Sequence, residues 1–189
     1  MKPRDLTDLL LLAAIWGGSF LFMRVAVPGF GPVALAFVRV AGAALLLLPL
    51  LLWRGEAGVL RQRWRPLLVL GLLNSALPFL CFGYAVYTLP AALAAIFNAA
   101  TPLFTALIAW AWLGDPLNRW RSLGLALGFA GVVGLALVKS VSTGALGQLQ
   151  WDGATGLAIG ACLLGTLMYG VSASHAKRHL AGVPAMAMA

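Results

Sequence analysis

The chain has 189 residues, of which 62% are hydrophobic and only 10% are charged, and its mean hydropathy is +0.96. Soluble globular domains carry about 25% charged residues, so this composition excludes a soluble protein and indicates an integral membrane protein. The net charge of +8 is typical of basic loops that orient a membrane protein, and no nucleic-acid partner is expected.

Six long apolar runs predict membrane-crossing α-helices. Each is about 20 residues long, which at ~1.5 Å per residue covers the ~30 Å hydrocarbon core of a bilayer. Barrel strands are disfavoured because the runs show no alternation of polar and apolar residues. The expected fold is an all-α polytopic helical bundle with spans near 6–26, 32–53, 67–88, 91–113, 121–138 and 153–174, and LAGVPAMAMA at 180–189 begins a partial seventh.

The basic loop residues cluster on one side of these spans. By the positive-inside rule this side is cytoplasmic, which predicts a multi-pass protein of the cytoplasmic membrane with a cytoplasmic N-terminus. The loops of the opposite side carry only Lys139. The clustered residues are Lys2, Arg4, Arg54, Arg61, Arg63, Arg65, Arg119, Arg121, Lys177 and Arg178.

Spans three and four share an Asn-x-x-x-Pro pattern, Asn74 with Pro78 and Asn98 with Pro102. Proline has no backbone N–H, so each proline bends its helix and frees the carbonyl of the asparagine. Ser75 and Thr101 add hydroxyls beside these carbonyls. One interpretation is a polar cavity lining with two central bends, and the alternative is that the polar side chains only satisfy the carbonyls at two packing kinks.

Spans one and two carry the other candidates for a cavity lining. Trp16 lies near the centre of its span, with Ser19 on the same face, and either lines a cavity or packs inside the bundle. Arg39 lies below the outer end of span two, where it needs a partner. That partner is helix carbonyls, water, an acidic residue elsewhere or a substrate carboxylate. Arg24, nearer the outer end, is expected to reach the interface.

No span contains an interior Asp or Glu. No nucleophile with its base, acidic pair or metal-ligand set is visible at membrane depth, so the chain is expected not to be an enzyme and to hold no metal or cofactor. His175 and His179 have the spacing of a metal-binding pair but no third ligand nearby.

Two segments suggest an internal repeat. IWGGSFLFMRV at 15–25 is similar to MYGVSASHAKR at 168–178, with Trp16 over Tyr169 and Ser19 over Ser172. Each unit would have five helices, an odd number, so the second copy must be inverted, as is common in secondary transporters.

The chain as a whole resembles the EamA-type drug/metabolite transporters. The likeness is carried by IWGGSFLFMRVAV at 15–27, FVRVAGAALLLLPLLLW at 37–53, YAVYTLPAALAAIFNAATPLFTALIAWAWLGD at 84–115 and RSLGLALGFAGVVGLALV at 121–138. The resemblance implies two inverted five-helix units. The expected domains are a first five-helix repeat at 1–138, an outer linker at 139–152 and a truncated second unit at 153–189.

The resemblance also implies a secondary transporter that moves small metabolites or drugs by alternating access, with export of amino acids or related compounds. The alternative is a membrane scaffold or assembly subunit without transport activity. The expected partners are a small-molecule substrate, the lipid bilayer and the missing C-terminal half of the same chain. If the chain is instead a natural short protein, a homodimer is expected.

Overall fold

The computed structural model describes residues 3–142 and 153–188, and this part of the chain is helical and contains no strands. Its elements follow from the long apolar runs, because backbone groups inside a bilayer must find their hydrogen bonds within the same segment. The elements are α1 (Pro3–Trp53), α2 (Ala57–Gly71), a π-helical turn (Leu72–Ala76), α3 (Leu77–Thr88), α4 (Ala91–Asn98), α5 (Thr101–Leu113), α6 (Arg119–Ser142), α7 (Gly153–His179) and α8 (Ala185–Met188).

Helix α1 is folded back on itself at Gly31. This residue has φ 74° and ψ 160° and interrupts the helical backbone between a first arm, 3–30, and a second arm, 32–53. Glycine is suited to the position because it adopts positive φ without a steric penalty. Arg39 Nη1 lies 2.9 Å from Ser19 Oγ, whereas the two residues would be ~30 Å apart along a straight helix. The arms are therefore antiparallel and correspond to the first two predicted spans.

Four helices within the described residues are long and apolar enough to cross a membrane: Asp5–Trp53, Ala57–Thr88, Ala91–Leu113 and Gly153–His179. The predicted all-α membrane bundle is confirmed. The first of these helices contains two predicted spans. The predicted span 121–138 lies within α6, which is not among the four. Of the predicted linker 139–152, residues 139–142 belong to α6 and the remainder lies outside the described residues.

Helix α7 lies against both α3 and α5. Its Gly165 faces Phe82 of α3, and its Gly170 faces the backbone of Phe104 in α5. Helix α7 is antiparallel to α2 and α3, because its successive residues Gly165, Ser172 and His175 contact Phe82, Asn74 and Pro66 in turn. It is parallel to α4 and α5, because its residues Thr166, Gly170 and Lys177 contact Phe97, Phe104 and Asp115 in turn. Since the first arm runs parallel to α3, α7 is antiparallel to that arm. This is the direction that an inverted second unit requires, and the division into two units stays a prediction.

The core is shared by the first arm, α3, α4 and α7. Phe20 meets Phe82 edge-on, with ring centroids 5.5 Å apart, and Phe82 stacks on Tyr169 at 6.2 Å. Such aromatic pairs stabilise a packed interior beyond their buried area. The buried cluster comprises Phe20, Met23, Val27, Phe82, Ala85, Val86, Leu89, Ala94, Ala158, Cys162 and Tyr169.

Arg24 holds the C-terminal end of α3. Its guanidinium donates hydrogen bonds to the carbonyl oxygens of Val86, Tyr87 and Leu89. The last carbonyls of a helix have no partner within the helix, and a cation is favoured there by the helix dipole. Tyr87 in turn donates its hydroxyl to the Val27 carbonyl at 3.0 Å. Arg24 thus links the first arm to α3. The sequence predicted only that its side chain would reach the membrane interface.

Candidate functional site

A cavity of about 700 Å³, here called the central cavity, lies between the first arm, the π-helical turn, the α4–α5 junction and α7. Four of the predicted candidates line it: Trp16, Asn74, Asn98 and Thr101. They come from three separate predicted spans, and the bundle brings them together. The other lining residues are Leu9, Leu12, Ala13, Ala99, Pro102, Thr105, Tyr169 and Ala173.

The α4–α5 junction presents Asn98 to the central cavity. Helix α4 ends at Asn98 and α5 begins at Thr101, with Ala99 and Ala100 between them at ψ −12° and −6°. Pro102 cannot donate to the Asn98 carbonyl, and the Thr101 hydroxyl donates to that oxygen instead at 2.7 Å. Thr101 therefore satisfies the carbonyl that Pro102 leaves free, and it also lines the cavity, so both interpretations of this residue apply.

The π-helical turn presents Asn74. The turn covers Leu72–Ala76 and ends two residues before Pro78, which is buried and lines none of the cavities described here. Single π turns widen a helix and are frequent at functional sites. The Asn74 Oδ1 lies 3.0 Å from Ser172 Oγ. The Ser172 Oγ also lies 2.8 Å from the Tyr169 carbonyl oxygen. Span three is thereby linked to α7 at the cavity wall.

The side-chain amides of Asn74 and Asn98 keep unused donors. Within the described residues the amide oxygens have hydroxyl neighbours, Ser172 for Asn74 and Thr101 for Asn98, while neither NH₂ group has an acceptor. Asn74 is exposed and Asn98 is partly exposed, so neither amide is fully packed between helices, and both line the cavity. A polar group at this depth is stable only where it meets water or a polar partner.

Arg39 and Ser19 line a smaller cavity of about 140 Å³, here called the arginine cavity. Arg39 donates to Ser19 Oγ, and its guanidinium carbon lies 4.2 Å from the centroid of the Phe79 ring. Trp16 and Tyr169 line both the arginine cavity and the central cavity, so the two adjoin.

Ser75 lines neither of these cavities. It faces a third one, of about 370 Å³, which has Arg39 and Phe79 at one end and is otherwise lined mainly by aliphatic side chains of the second arm. The structure thus separates Ser75 from Asn74, although the two are adjacent in the sequence. Arg39 lies where the arginine cavity meets this third cavity.

Apart from Trp16, the aromatic residues of the arginine cavity were not among the candidate site residues from the sequence. Phe20, Phe79, Phe82 and Tyr169 all line it. Trp16 contacts Tyr169 edge-on, with ring centroids 6.4 Å apart. The one signal for Tyr169 was its position over Trp16 in the internal repeat. Phe20 shares the helix face of Trp16 and Ser19 in the sequence, whereas no pattern marks Phe79 or Phe82, because apolar residues occupy all faces of their helix.

The end of α7 is held by polar contacts. His175 is buried, and its Nε2 lies 3.0 Å from the Pro66 carbonyl oxygen. Lys177 forms an ion pair with Asp115, with a nitrogen–oxygen distance of 2.6 Å. His175 thus packs against the start of the predicted span three. Within the described residues, no three potential ligands among His, Cys, Asp and Glu form a metal-binding group.

Comparison with known proteins bears on this arrangement. The profile described as "EamA-like transporter family" matches residues 8–137. The uncharacterized transporter YvbV of Bacillus subtilis is 32% identical over 132 residues, which is 69% of this chain and 43% of that protein. The uncharacterized inner membrane transporter YedA of Escherichia coli is 32% identical over 131 residues, covering 66% of this chain and 41% of that protein.

An uncharacterized transporter of Archaeoglobus fulgidus is 35% identical over 130 residues, covering 66% of this chain and 43% of that protein. The chain thus spans less than half the length of these curated relatives. No solved structure shows significant similarity to it. The profile match covers more than half of the chain and includes most of the residues that line the central cavity, so the chain belongs to the EamA-like transporter family.

Proposed function

We propose that this chain provides the substrate cavity of a secondary transporter that moves small metabolites or drugs out of the cytoplasm. Its substrates are amino acids or related compounds, and its membrane is the cytoplasmic membrane, in keeping with the relative YedA, an inner membrane transporter. The N-terminus is cytoplasmic, following the distribution of basic loop residues. The lipid bilayer, the substrate and the second half of the transporter are its partners.

The proposal rests on one observation: a single cavity of about 700 Å³ is lined by Trp16, Asn74, Asn98 and Thr101. Ligand sites are typically concave and mostly apolar, with a few polar groups that fix orientation. The cavity-lining amides of the two asparagines fit that description. A scaffold subunit would instead be expected to pack these side chains against neighbouring helices.

The mechanism proposed is alternating access around the central cavity. Its walls include a π-helical turn and an interrupted helix, and such irregular backbone at membrane depth is tolerated where it lines a cavity. Discontinuous helices near the midplane are a recurrent feature of secondary transporters. Bends at the π-helical turn before Pro78 and at the junction before Pro102 would let the outer and inner parts of spans three and four move separately.

Replacement of Asn98 by Ala tests the assignment. The Asn98→Ala variant, made in the protein at its natural length, should lower export roughly three- to tenfold, the loss expected for one hydrogen bond to a substrate. Intracellular and extracellular metabolites of expressing cells are compared by mass spectrometry, with protein amounts measured in the membrane fraction. Asn118→Ala is the matched control, because Asn118 caps the backbone N–H of Arg121 away from the cavity. Equal export by wild type and Asn98→Ala at equal protein levels would remove Asn98 from the site.

A further inference from the structure

Arg39 is a cation at membrane depth with no acidic partner among the described residues. Its one hydrogen bond to a described residue goes to the neutral hydroxyl of Ser19, at 2.9 Å, and its second contact is the face of Phe79. Neither contact carries a negative charge. A guanidinium has several N–H donors in a planar fork, so most of its hydrogen-bonding capacity is left over.

The remaining donors have cavities on both sides. Arg39 lines the arginine cavity and also the third cavity, and no acidic residue lines either of these or the central cavity. Ionisable side chains inside a membrane bundle are costly and usually pair with another charge or with a ligand. The carboxylate of a bound solute would supply the charge that the chain does not, in the bidentate geometry that arginine favours.

The side chains that line the arginine cavity determine which further chemical group of a ligand fits beside the guanidinium. Trp16, Phe20, Phe79, Phe82 and Tyr169 surround the arginine cavity. Aromatic side chains favour a flat apolar group through edge-to-face and offset stacking. An ammonium group, by contrast, would find no carboxylate on any wall of the three cavities. The lining therefore favours an aromatic group with a single negative charge.

Building on the proposed function, we propose that Arg39 binds the carboxylate of an aromatic monocarboxylic acid, whose ring lies in the arginine cavity. Phe79 and Ser19 are positioning residues that hold the guanidinium plane. Binding requires the carboxylate and does not require an ammonium group. Amino acids are accepted through the same carboxylate, and their deaminated counterparts bind at least as tightly.

Three ligands that differ in one group test this inference on the wild-type chain. The protein at its natural length is reconstituted in lipid nanodiscs, and binding of radiolabelled 3-phenylpropanoate is measured by equilibrium dialysis. Unlabelled phenylalanine should compete with it, with equal or lower affinity, and phenethylamine should not compete. Competition by phenethylamine as strong as by 3-phenylpropanoate, or no binding of 3-phenylpropanoate at all, would overturn the inference without any variant being made.

Paired arginine variants then locate the anion site. Arg39→Gln should weaken 3-phenylpropanoate binding about 10- to 100-fold, and Arg39→Lys should weaken it less, because the charge stays while the bidentate fork is lost. Arg24→Lys is the matched control: Arg24 binds backbone carbonyls, lines none of the three cavities and keeps its charge in the variant. Thermal melting of each variant in nanodiscs establishes that it is folded.

The outcomes separate this inference from the proposed function. Unchanged affinity in folded Arg39→Gln contradicts the anion site, whatever cells expressing the protein export. Binding that depends on Arg39 supports the site. If cells with the protein at its natural length then export no metabolite, the proposed transport function fails while the binding site stands.

Discussion

The hydroxyl of Thr101 joins local backbone chemistry to the central cavity. Pro102 removes the N–H that would have bonded to the Asn98 carbonyl, and Thr101 donates to that oxygen from within the same turn. Thr105 repeats the pattern one turn later by donating to the Thr101 carbonyl at 2.8 Å. These bonds satisfy the interrupted backbone locally, so the Asn98 side chain is left available to the cavity.

Two substitutions of Thr101 distinguish the hydrogen bond of its hydroxyl from the space that its side chain fills. Thr101→Val keeps the shape but leaves the Asn98 carbonyl without its donor, and it should lower the free energy of unfolding by about 0.5–1.5 kcal/mol, the range for hydrogen bonds inside membrane bundles. Thr101→Ser, which retains the hydroxyl, should lose less. Reversible unfolding in mixed detergent micelles measures both. Equal losses in the two variants would contradict the hydrogen bond as the cause.

Helix α7 approaches α3 and α5 most tightly at two glycines, Gly165 and Gly170. A Cβ at Gly170 would lie 3.0 Å from backbone atoms of Phe104 and Thr105, and one at Gly165 would lie 3.0 Å from the Phe82 ring. Small residues allow helices in membranes to approach each other closely, which increases van der Waals packing. Glycine content alone does not identify such positions, because Gly156 and Gly160 in the same helix have nothing within 4 Å of a Cβ.

A pair of glycine variants tests this packing. Gly170→Ala should lower the free energy of unfolding by about 1–3 kcal/mol, because the backbone of α5 cannot move aside as a flexible side chain would. Gly160→Ala is the matched control, and it should be neutral or stabilising, because alanine is the better helix former by about 1 kcal/mol. Thermal melting of the purified variants distinguishes them. A destabilisation of the same size in both would show that α7 does not depend on this close contact.

At the scale of the whole molecule, the distribution of basic loop residues agrees with the alternating directions of the packed helices. Basic loops lie at one end of the predicted spans, and the fold alternates direction from the first arm to the second and from α2–α3 to α4–α5. Lys177 and Asp115 join the ends of α7 and α5 at the end that the charge pattern predicts to be cytoplasmic. The exposed ion pair contributes little stability by itself, about 0–1 kcal/mol, but it places the two helix ends on the same side.

The orientation in the membrane has a direct test. In a chain whose Cys81 and Cys162 are replaced by Ala, single cysteines are introduced as Gly29→Cys and Arg61→Cys, both at exposed positions. With a cytoplasmic N-terminus, a membrane-impermeant maleimide should label position 29 in intact cells and position 61 only after permeabilisation. The reverse labelling pattern would place the N-terminus outside.

Much of the fold could be predicted because bilayer thickness and backbone hydrogen bonding constrain each span separately. The apolar runs located most helix ends to within a few residues, although the helix of predicted span 67–88 begins ten residues earlier, at Ala57. The break before Pro102 follows from proline chemistry. The fold-back point at Gly31 was predicted only as a loop between two spans. A bend near Pro78 was predicted, but its form as a π-helical turn over Leu72–Ala76 was not.

The site was predictable in part for a related reason. Polar residues are so rare in these spans that Asn74, Asn98, Thr101 and Arg39 stand out from their surroundings, whereas Phe79 and Phe82 of the aromatic wall do not. Ser75 had the same sequence signal as Asn74, but it faces a different cavity. The direction of a side chain around a helix depends on that helix's rotation against its neighbours, and no single span contains that information.

The sequence by itself determined that this is a multi-helix membrane protein, where its helices lie and which polar residues need a partner, because each of these follows from transfer of one segment between water and lipid. Only the tertiary structure decided that Trp16, Asn74, Asn98 and Thr101 share one cavity, that Arg24 holds a helix end while Arg39 faces open space, and that aromatic rings surround that space. These are relations between segments far apart in the chain, and they arise from close packing among helices.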